Sequence, residues 1–233
     1  MTDPRFSVIV PAFHEADRIN DLIEHLIRLD SEKNLQVIVV DGCAEQDTLG
    51  AVHDNRVIKI SSEKGRARQM NAGASVATGD VLIFLHADTE LPSRALGRIS
   101  SFIDRKECVA GAFDLGIKSE KFVFRVIAAM SSFRSRWSRV PFGDQAVFIR
   151  REYFHKIGGY RQIPLMEDVE LMRRIRKSGG KIWIIPDRVM TSPRRWEKEG
   201  VIFCTLRNWA LRTLYLLGVS PEKLARFYRD SQA

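Results

Sequence analysis

The sequence predicts an α/β fold in which a mainly parallel sheet is flanked by helices, with further helices at the C-terminal end. Short apolar runs rich in β-branched residues alternate with helical stripes over the first half of the chain, which is the pattern of parallel strands joined by crossover helices. Asp41 directly follows one of these runs, and another run ends at His86-Ala87-Asp88. Because open sheets of this kind bind ligands beyond the carboxyl ends of their strands, those acids are the first candidate site residues.

The first half of the chain contains four predicted strands, at residues 6–10, 35–40, 56–60 and 81–85. Pro11 ends the first strand, and acids follow the second and the fourth. Helices are predicted at residues 16–29, where apolar residues recur at helical spacing, and at 65–77. Pro92 opens another helix as a first-turn proline.

The second half is less regular along the chain. Strands are predicted at residues 109–117, 146–149 and 181–185. Helices are predicted at residues 122–137, 168–177 and about 200–217, and Pro221 opens a short final helix. No internal repeat or linker is visible, so we expect a single domain over residues 1–233.

The charge balance favours an anionic partner. Lys and Arg number 37 against 29 Asp and Glu, which gives a net charge of +8. A basic excess suits a nucleotide diphosphate, an anionic membrane surface or a nucleic acid, although it also serves solubility alone. No recognised nucleic-acid-binding motif is present, so we expect no nucleic-acid partner.

Cysteine usage and the apolar segments indicate a cytoplasmic protein. The three cysteines are scattered and form no CxxC pattern, so their spacing predicts neither a zinc site nor a disulfide framework. The chain enters a strand-like run at once, so we expect no signal peptide. The longest apolar region, residues 201–217, contains Arg207 and Arg212 and is too short and too charged for a membrane span.

Two strand-end acids are candidate ligand-binding residues. Asp41 and Asp88 each follow a buried run, where a carboxylate must be paired or bound to a ligand. Asp88 suits a divalent cation that in turn holds a diphosphate, and His86 lies two residues earlier, on the same side of an extended segment. The alternative is that Asp88 caps the turn before Pro92 and His86 is an ordinary loop residue.

A basic segment at a predicted helix start is a candidate phosphate site. Lys64, Gly65, Arg66 and Arg68 gather where backbone N–H groups already favour anions. The alternative is a solvated basic face.

Two later motifs also suggest catalysis or ligand binding. Glu167 and Asp168 open a helix, where acids often act only as caps, but a positioned carboxylate can also accept a proton from a hydroxyl. In the segment 192–196, Arg195 suits bidentate contact with phosphate, and Trp196 offers a flat face to a ring. The alternative for this segment is a surface loop with the Trp anchored in the core.

In this order, the motifs resemble those of glycosyltransferase family 2, an inverting family with the GT-A fold and its Rossmann-like sheet. The resemblance extends from Ser7-Val8-Ile9-Val10-Pro11 to Trp196. The opening is similar to the family's SVIIPxxNE start, with Glu15 as the acid and His14 in place of Asn. The segments 84–89 and 192–196 also resemble a small bacterial subgroup associated with arsenosugar biosynthesis.

The resemblance implies a nucleotide-binding set. Asp41 would contact the nucleotide base or ribose, and Pro11 and Glu15 belong to the opening that binds the nucleotide. Gly65, Asn71 and Gly73 match the family's GxxxxxNxG helix, which shapes the nucleotide pocket.

The resemblance also implies catalytic and metal-binding residues. Asp168 matches the base of the family's ED motif, with Glu167 beside it, and Asp88 matches the last acid of the DxD motif, which binds the metal. Arg195 and Trp196 match the end of the Q/RxxRW motif. The chain departs from the family at His86, which stands for the first acid of DxD, and at Ser192, which stands for the Gln or Arg of the last motif.

The function implied is transfer of a sugar from a UDP- or GDP-linked donor to an acceptor hydroxyl, with inversion and with Mg²⁺ or Mn²⁺ as cofactor. Residues of about 1–90 would bind the nucleotide, about 91–199 would carry the acceptor and catalytic elements, and about 200–233 would form C-terminal helices. One alternative is a sugar nucleotidyltransferase, which would need a Gly-rich phosphate loop after the first strand. The other is a nucleotide-binding interaction protein without turnover. The sequence does not name the acceptor.

Two apolar stripes edged by arginine predict contact with a membrane at its inner face, or with a lipid-linked acceptor. They lie at residues 122–137, with Arg125, Arg134 and Arg136, and at 201–217. The alternatives are that the stripes pack on the sheet or form the seam of a homodimer.

Overall fold

An eight-stranded mixed sheet forms the centre of the computed structural model, which describes residues 5–29, 34–105 and 108–228. In sheet order the strands run β3-β2-β1-β4-β7-β6-β8-β5. Their bounds are β1 Phe6–Ala12, β2 Leu35–Asp41, β3 Ile58–Ser61, β4 Val81–Phe84, β5 Thr89–Glu90, β6 Cys108–Ile117, β7 Val147–Arg150 and β8 Lys181–Thr191.

Helices connect these strands. Their bounds are α1 Ile19–Leu29, α2 Asp47–Ala51, α3 Arg66–Val76, α4 Ala95–Ile103, α5 Phe122–Ser138, α6 Arg151–Lys156, α7 Glu167–Lys177, α8 Arg194–Glu199, α9 Val201–Leu216 and α10 Pro221–Ala225, with a short 3₁₀ helix at Gly143–Gln145. Within the described residues, no helix has both the length and the apolar composition needed to cross a lipid bilayer.

The direction of the strands brings several loops to one edge of the sheet. Strands β1, β2, β3 and β4 are mutually parallel, and β7 runs antiparallel to both β4 and β6. Since β8 is parallel to β6, the carboxyl ends of β1, β2, β4, β6 and β8 all lie at the same edge. The segment that leads into β7 lies there too, because β7 starts where its neighbours end.

Two apolar cores cover the faces of the sheet, and the alternation of side chains along β1 shows why. Val8 and Val10 belong to the core under α1, whereas Ile9 belongs to the core under α3 and α7. All three side chains are fully buried. Strands buried on both faces are apolar at every position, which is why the sequence shows continuous apolar runs rather than alternation.

The predicted strands and helices are found, most with small shifts at their ends, and the predicted α/β fold is confirmed. The largest difference is β8, which continues past the predicted end at residue 185 to Thr191. Pro186 lies in a bulge, because the β8 register against β6 shifts between Phe113 and Asp114. A bulge leaves proline without a ladder hydrogen bond to lose, so the strand continues beyond it. The short elements α2, β5, α6 and α8 and the 3₁₀ helix are not predicted by the sequence pattern.

Gly73 allows α3 to pack closely on the sheet. A Cβ atom at this position would lie 2.4 Å from Ile9 Cγ2 and 3.0 Å from Val40 Cγ2, both in the buried core. Asn71 fixes the same helix, since its side chain donates to the Tyr160 carbonyl at 2.8 Å and accepts from the Tyr160 amide at 2.9 Å. Two residues of the predicted nucleotide pocket are thus packing residues in the structure.

We expect Gly73→Ala to lower the free energy of unfolding by ~1–3 kcal/mol, because the added methyl group collides with side chains of two strands at the close contact between α3 and the sheet. Gly97→Ala is the matched control, since Gly97 is exposed in α4 and a Cβ there meets nothing within 4 Å. The control should gain ~0.5–1 kcal/mol from helix propensity. Urea unfolding followed by circular dichroism measures both, and equal effects of the two substitutions would contradict the packing role of Gly73.

Candidate active site

A cleft opens at the edge of the sheet where the carboxyl ends of β1, β4 and β8 meet. The predicted site residues that line it are Pro11, Glu15, Arg66, His86, Asp88, Glu167, Asp168, Arg195 and Trp196.

An ion-pair network connects three of the loops around the cleft. Arg194, at the start of α8, donates from Nη1 to Glu15 Oε2 at 2.8 Å and pairs through Nη2 with Glu15 Oε1. Its Nε lies 3.0 Å from Asp88 Oδ2. The Glu15 carboxylate is only 2% exposed, and a buried charge of this kind requires a partner with good geometry. Arg194 therefore holds the loops after β1 and β4 against the segment after β8.

Glu167 and Asp168 form a carboxyl pair at the start of α7, where Glu167 is buried and Asp168 partly buried. Asp168 accepts backbone N–H groups from Gly143 and Val169, each at 2.7 Å. Burial, with the neighbouring Asp168 charge, raises the pKa of Glu167 to about 7. Burial also raises the pKa of Asp168, but the two backbone donors act in the opposite direction. The environment therefore favours the ionised form at Asp168 more than at Glu167, and the protonated form at Glu167.

Asp144 faces the same cleft, although the sequence analysis did not select it. Burial raises its pKa to about 6, opposed mainly by Arg134. Its Oδ1 atom is buried without a hydrogen-bond partner among the described residues, as are Asn208 Oδ1 and Trp196 Nε1, which also line the cleft. Buried polar atoms without partners are costly in a folded protein, so these three atoms indicate places where a ligand completes the hydrogen bonding.

His86 is neutral in this environment. Burial, together with the charges of Arg66, Arg195 and Arg194, lowers the pKa of His86 to about 3, against the opposing effect of Asp88. A neutral imidazole has a nitrogen lone pair available for a hydrogen bond or for a metal ion.

The basic segment lies beside the cleft rather than wholly within it. Lys64, Gly65 and Arg68 line an adjoining cavity, and Arg66 lines both. Lys64 Nζ lies 4.0 Å from the centre of the Phe13 ring, and Arg68 pairs with Glu63. The positive charge of this segment therefore extends along the start of α3 toward the cleft.

Asp41, Asn71 and Gly73 lie behind the cleft. The Asp41 side chain is fully buried and accepts the backbone N–H groups of Cys43 at 2.8 Å, Thr48 at 3.1 Å and Leu49 at 3.3 Å. In this structure it organises the loop after β2, and its contact with a nucleotide stays a prediction.

Arg194 and Asp144 are the residues that sequence reasoning missed. Arg194 stands beside the selected Arg195, but nothing local distinguishes which of two adjacent arginines turns toward a buried acid. The Gly143-Asp144-Gln145 segment before a strand carries turn residues, and its place at the cleft follows only from the antiparallel direction of β7.

Comparison with known proteins identifies a family and a fold that this chain matches. The family model described as Glycosyl transferase family 2 matches residues 7–164. A PGL/p-HBAD biosynthesis glycosyltransferase of Mycobacterium bovis is 29% identical over 171 residues, covering 69% of this chain and 64% of the relative. The chain thus spans just under two thirds of the length of that curated relative.

Solved structures share the fold. The mannosyltransferase PcManGT from Pyrobaculum calidifontis, in complex with GDP-Man and Mn²⁺, superposes with a TM-score of 0.69 at 21% identity, covering 97% of this chain and 65% of that one. TarS 1-349 of S. aureus, in complex with UDP-GlcNAc, gives a TM-score of 0.64 at 18% identity, covering 81% and 58%. These neighbours confirm the GT-A fold.

The raised pKa of Glu167 predicts a pH-dependent stability. Its ordinary value is 4.5 and its folded value about 7, so the folded chain binds the proton more tightly than the unfolded chain. The free energy of unfolding should therefore fall as pH rises through this interval. We expect Glu167→Gln to stabilise the protein by ~1–3 kcal/mol at pH 8 and to have little effect at pH 5.

Urea unfolding at both pH values measures this effect. Glu24→Gln, at an exposed position on α1, is the control and should leave the pH dependence unchanged. Equal effects of Glu167→Gln at pH 5 and pH 8 would show that Glu167 titrates normally.

Proposed function

The chain belongs to glycosyl transferase family 2, and we propose that it transfers a sugar from a nucleoside-diphosphate sugar to an acceptor hydroxyl. The observation that carries this proposal is one cleft in which a carboxyl pair faces arginines and the acid after β4. Acceptor activation needs a base, and donor cleavage needs positive charge near the leaving group. We propose that these elements act as a single domain.

The donor diphosphate would bind at the arginine-rich side of the cleft. Arg66 lies in the first turn of α3, where the helix N-terminus favours anions, and Arg194 and Arg195 begin α8. A UDP- or GDP-linked sugar is the proposed donor class, since TarS was solved with UDP-GlcNAc and PcManGT with GDP-Man.

The proposed reaction is a single in-line displacement with inversion at the anomeric carbon. Asp168 takes the proton of the acceptor hydroxyl. At the same time the oxygen of that hydroxyl forms the new bond to the anomeric carbon. The bond from the carbon to the phosphate oxygen breaks, and the nucleoside diphosphate leaves with the electron pair. Arg195, with Arg66, neutralises the charge that develops on the leaving group.

The backbone contacts of Asp168 suit this role. The Gly143 and Val169 amides hold both carboxylate oxygens, which orients the base and partly offsets the effect of burial on its pKa. Each oxygen retains a further lone pair for the acceptor proton.

Asp88 and His86 are the proposed ligands of Mg²⁺ or Mn²⁺. Arg194 binds one Asp88 oxygen, while among the described residues the other has a long contact of 3.4 Å from Thr89 Oγ1. Within the described residues these two ligands form no three-residue metal cluster, which suits an ion that takes further oxygens from a diphosphate. The unpartnered Asp144 Oδ1 is an additional oxygen donor in the same cleft. When bound, the ion would supply Lewis-acid stabilisation of the leaving diphosphate.

Two alternatives make different predictions. A sugar nucleotidyltransferase would need a Gly-rich phosphate loop after β1, where this chain has Pro11-Ala12-Phe13-His14-Glu15, and the family match favours glycosyl transfer. An interaction protein without turnover would bind donor but neither hydrolyse nor transfer it.

The exposed faces of α5 and α9 support a membrane-associated acceptor, as a further part of the proposal. Trp137, Phe122 and Ile202 are 84%, 76% and 75% exposed, and α5 turns only its Phe124, Ala128, Ser132 and Ser135 side to the core. These stripes therefore do not pack fully on the sheet. Both helices flank the cleft, since Asn208 of α9 lines it and Phe124 of α5 packs against Trp196.

Charge favours a lipid surface over a second copy of the chain. Both helices carry arginines, and neither contains Asp or Glu. Arg125 of α5 is exposed and carries a charge that an anionic lipid surface would complement, whereas Arg136 pairs with Asp114 and Arg207 with Glu199. We propose peripheral contact with anionic lipid at the inner membrane face, which would present a lipid-linked acceptor to the cleft.

Replacing the proposed base should abolish transfer but spare donor binding. We expect Asp168→Asn to lower kcat by ~10²–10⁴-fold, because an amide cannot accept the acceptor proton. Donor binding by isothermal titration should stay near that of the wild type. Asp104→Asn, at an exposed position after α4, is the control. Near-normal turnover of Asp168→Asn would show that Asp168 is not the base, and Glu167 would be the next residue to test.

Removing the proposed metal ligand should remove metal dependence. We expect the wild type to bind a nucleoside diphosphate more tightly with Mn²⁺ than with EDTA, and Asp88→Ala to bind equally in both. Isothermal titration measures the four affinities. Equal affinity of the wild type with Mn²⁺ and with EDTA would exclude the metal role.

Contact with lipid should depend on charge and on exposed aromatics. We expect the protein to sediment with vesicles that contain anionic lipid and to be released as salt rises, since surface attraction is screened. Phe133→Ser with Trp137→Ser should weaken sedimentation, while Val76→Ser, exposed on α3, should not. Protein that stays in the supernatant throughout, with light scattering reporting a dimer, would identify the stripes as a subunit interface.

A further inference from the structure

Three metal-ligating side chains meet in a cluster that the proposed transfer reaction does not use. They are His14 in the loop after β1, Cys43 in the loop after β2, and Asp47 at the start of α2. One ligand atom from each lies within 4.8 Å of the others. We propose that this cluster, here called the loop cluster, is a transition-metal site of the zinc type that ties the two loops together.

The donor chemistry selects the metal. A thiolate, an imidazole and a carboxylate form a mixed soft and borderline set, which suits Zn²⁺ or Co²⁺ and not Mg²⁺. This distinguishes the loop cluster from the site at Asp88 and His86, which lacks sulfur and would take Mg²⁺ or Mn²⁺.

The distances are close to those that tetrahedral coordination needs. Cys43 Sγ lies 3.6 Å from His14 Nδ1, and zinc bond lengths with a tetrahedral angle place sulfur and nitrogen ~3.5 Å apart. His14 Nδ1 lies 2.8 Å from Asp47 Oδ2, so this hydrogen-bonded pair must open by ~0.5 Å when both atoms turn to an ion. Glu45 Oε2 accepts a hydrogen bond from the Cys43 thiol at 2.7 Å, and this bond would break when the sulfur binds a metal as thiolate.

The two loops hold these ligands in place before any metal binds. The buried Asp41 carboxylate accepts the Cys43 and Thr48 amides, and Thr48 Oγ1 accepts the Glu15 amide at 3.1 Å. His14 has a left-handed backbone with φ of 54°, which the surrounding loop must stabilise. A pre-formed site costs little ordering entropy on binding.

Access to the loop cluster comes from the solvent side. Cys43 is buried, but the His14 side chain is half exposed and Asp47 is partly exposed. As a metal binds, the S–H bond breaks, the metal–sulfur bond forms, and the proton passes to solvent.

The position of the loop cluster predicts a structural effect on the nucleotide side of the cleft. His14 lies between Phe13 and Glu15, which both line the cleft, and its ring centre is 4.3 Å from that of Phe13. A metal bound to the loop cluster would fix this loop against the loop after β2. The chain carries His14 where the family's opening motif has Asn, so this link is a feature of this chain.

Titration of the metal-free protein with Co²⁺ tests the proposal, because thiolate-bound cobalt has a charge-transfer absorption and tetrahedral cobalt has strong visible bands. We expect one Co²⁺ per chain with both signals, and displacement by Zn²⁺. Cys43→Ser should abolish the charge-transfer absorption, and His14→Asn and Asp47→Asn should each weaken binding by at least ~100-fold. Zn²⁺ should raise the Tm of the wild type and leave that of His14→Asn unchanged.

Controls separate the loop cluster from the other sites. Cys204→Ser removes a buried thiol on α9, and Asp88→Ala removes the proposed ligand of the other metal, so both should keep the cobalt spectrum. His14→Asn and Asp47→Asn change side chains at the surface of the loops, so they remain informative if Cys43→Ser fails to fold. A cobalt spectrum without charge transfer, or one that persists in His14→Asn, would overturn the proposal. The readout is binding, so it is independent of the transfer reaction.

Discussion

The buried Glu15 carboxylate is the constraint on which the site depends. A charge removed from water must find a partner, and Arg194 is that partner although the two residues are 179 positions apart in the chain. Because the same guanidinium also binds Asp88, the loops after β1 and β4 and the start of α8 are held at one point. Loss of Arg194 would remove the guanidinium that the Glu15 and Asp88 carboxylates share.

Strand direction decides what else reaches this point. The parallel strands bring their carboxyl ends to one edge, and the antiparallel β7 brings the 3₁₀ helix that precedes it. The Gly143 amide can therefore hold Asp168, and Asp144 can face the cleft. Burial raises the pKa of the acids in the site and the nearby arginines lower it, and Glu167 holds a proton more readily than Asp168 does.

The two sides of the cleft differ in surface character. The nucleotide side consists of tight loops whose backbone groups are bound by Asp41 and Gln69, which donates to the Ala12 and Val40 carbonyls. Helix α9 contributes Asn208 and Leu211 to the cleft, and both α5 and α9 expose aromatic and aliphatic side chains beside arginines. The proposed contact with a lipid-linked acceptor depends on these exposed faces.

The sequence alone determined the fold class, because continuous apolar runs reveal buried strands. It identified Asp88 as an acid beyond the end of a strand and Glu167 and Asp168 as acids that open a helix, and the order of the motifs added the arginine-tryptophan segment, although the roles of these residues stay predictions. The tertiary structure decided that Arg194 is the arginine that pairs with Glu15, that Asp144 enters the cleft, and that Asp41 turns into its own loop. It also brought His14, Cys43 and Asp47 together. These outcomes depend on strand order, strand direction and the pairing of buried charges between distant segments, and local periodicity does not encode them.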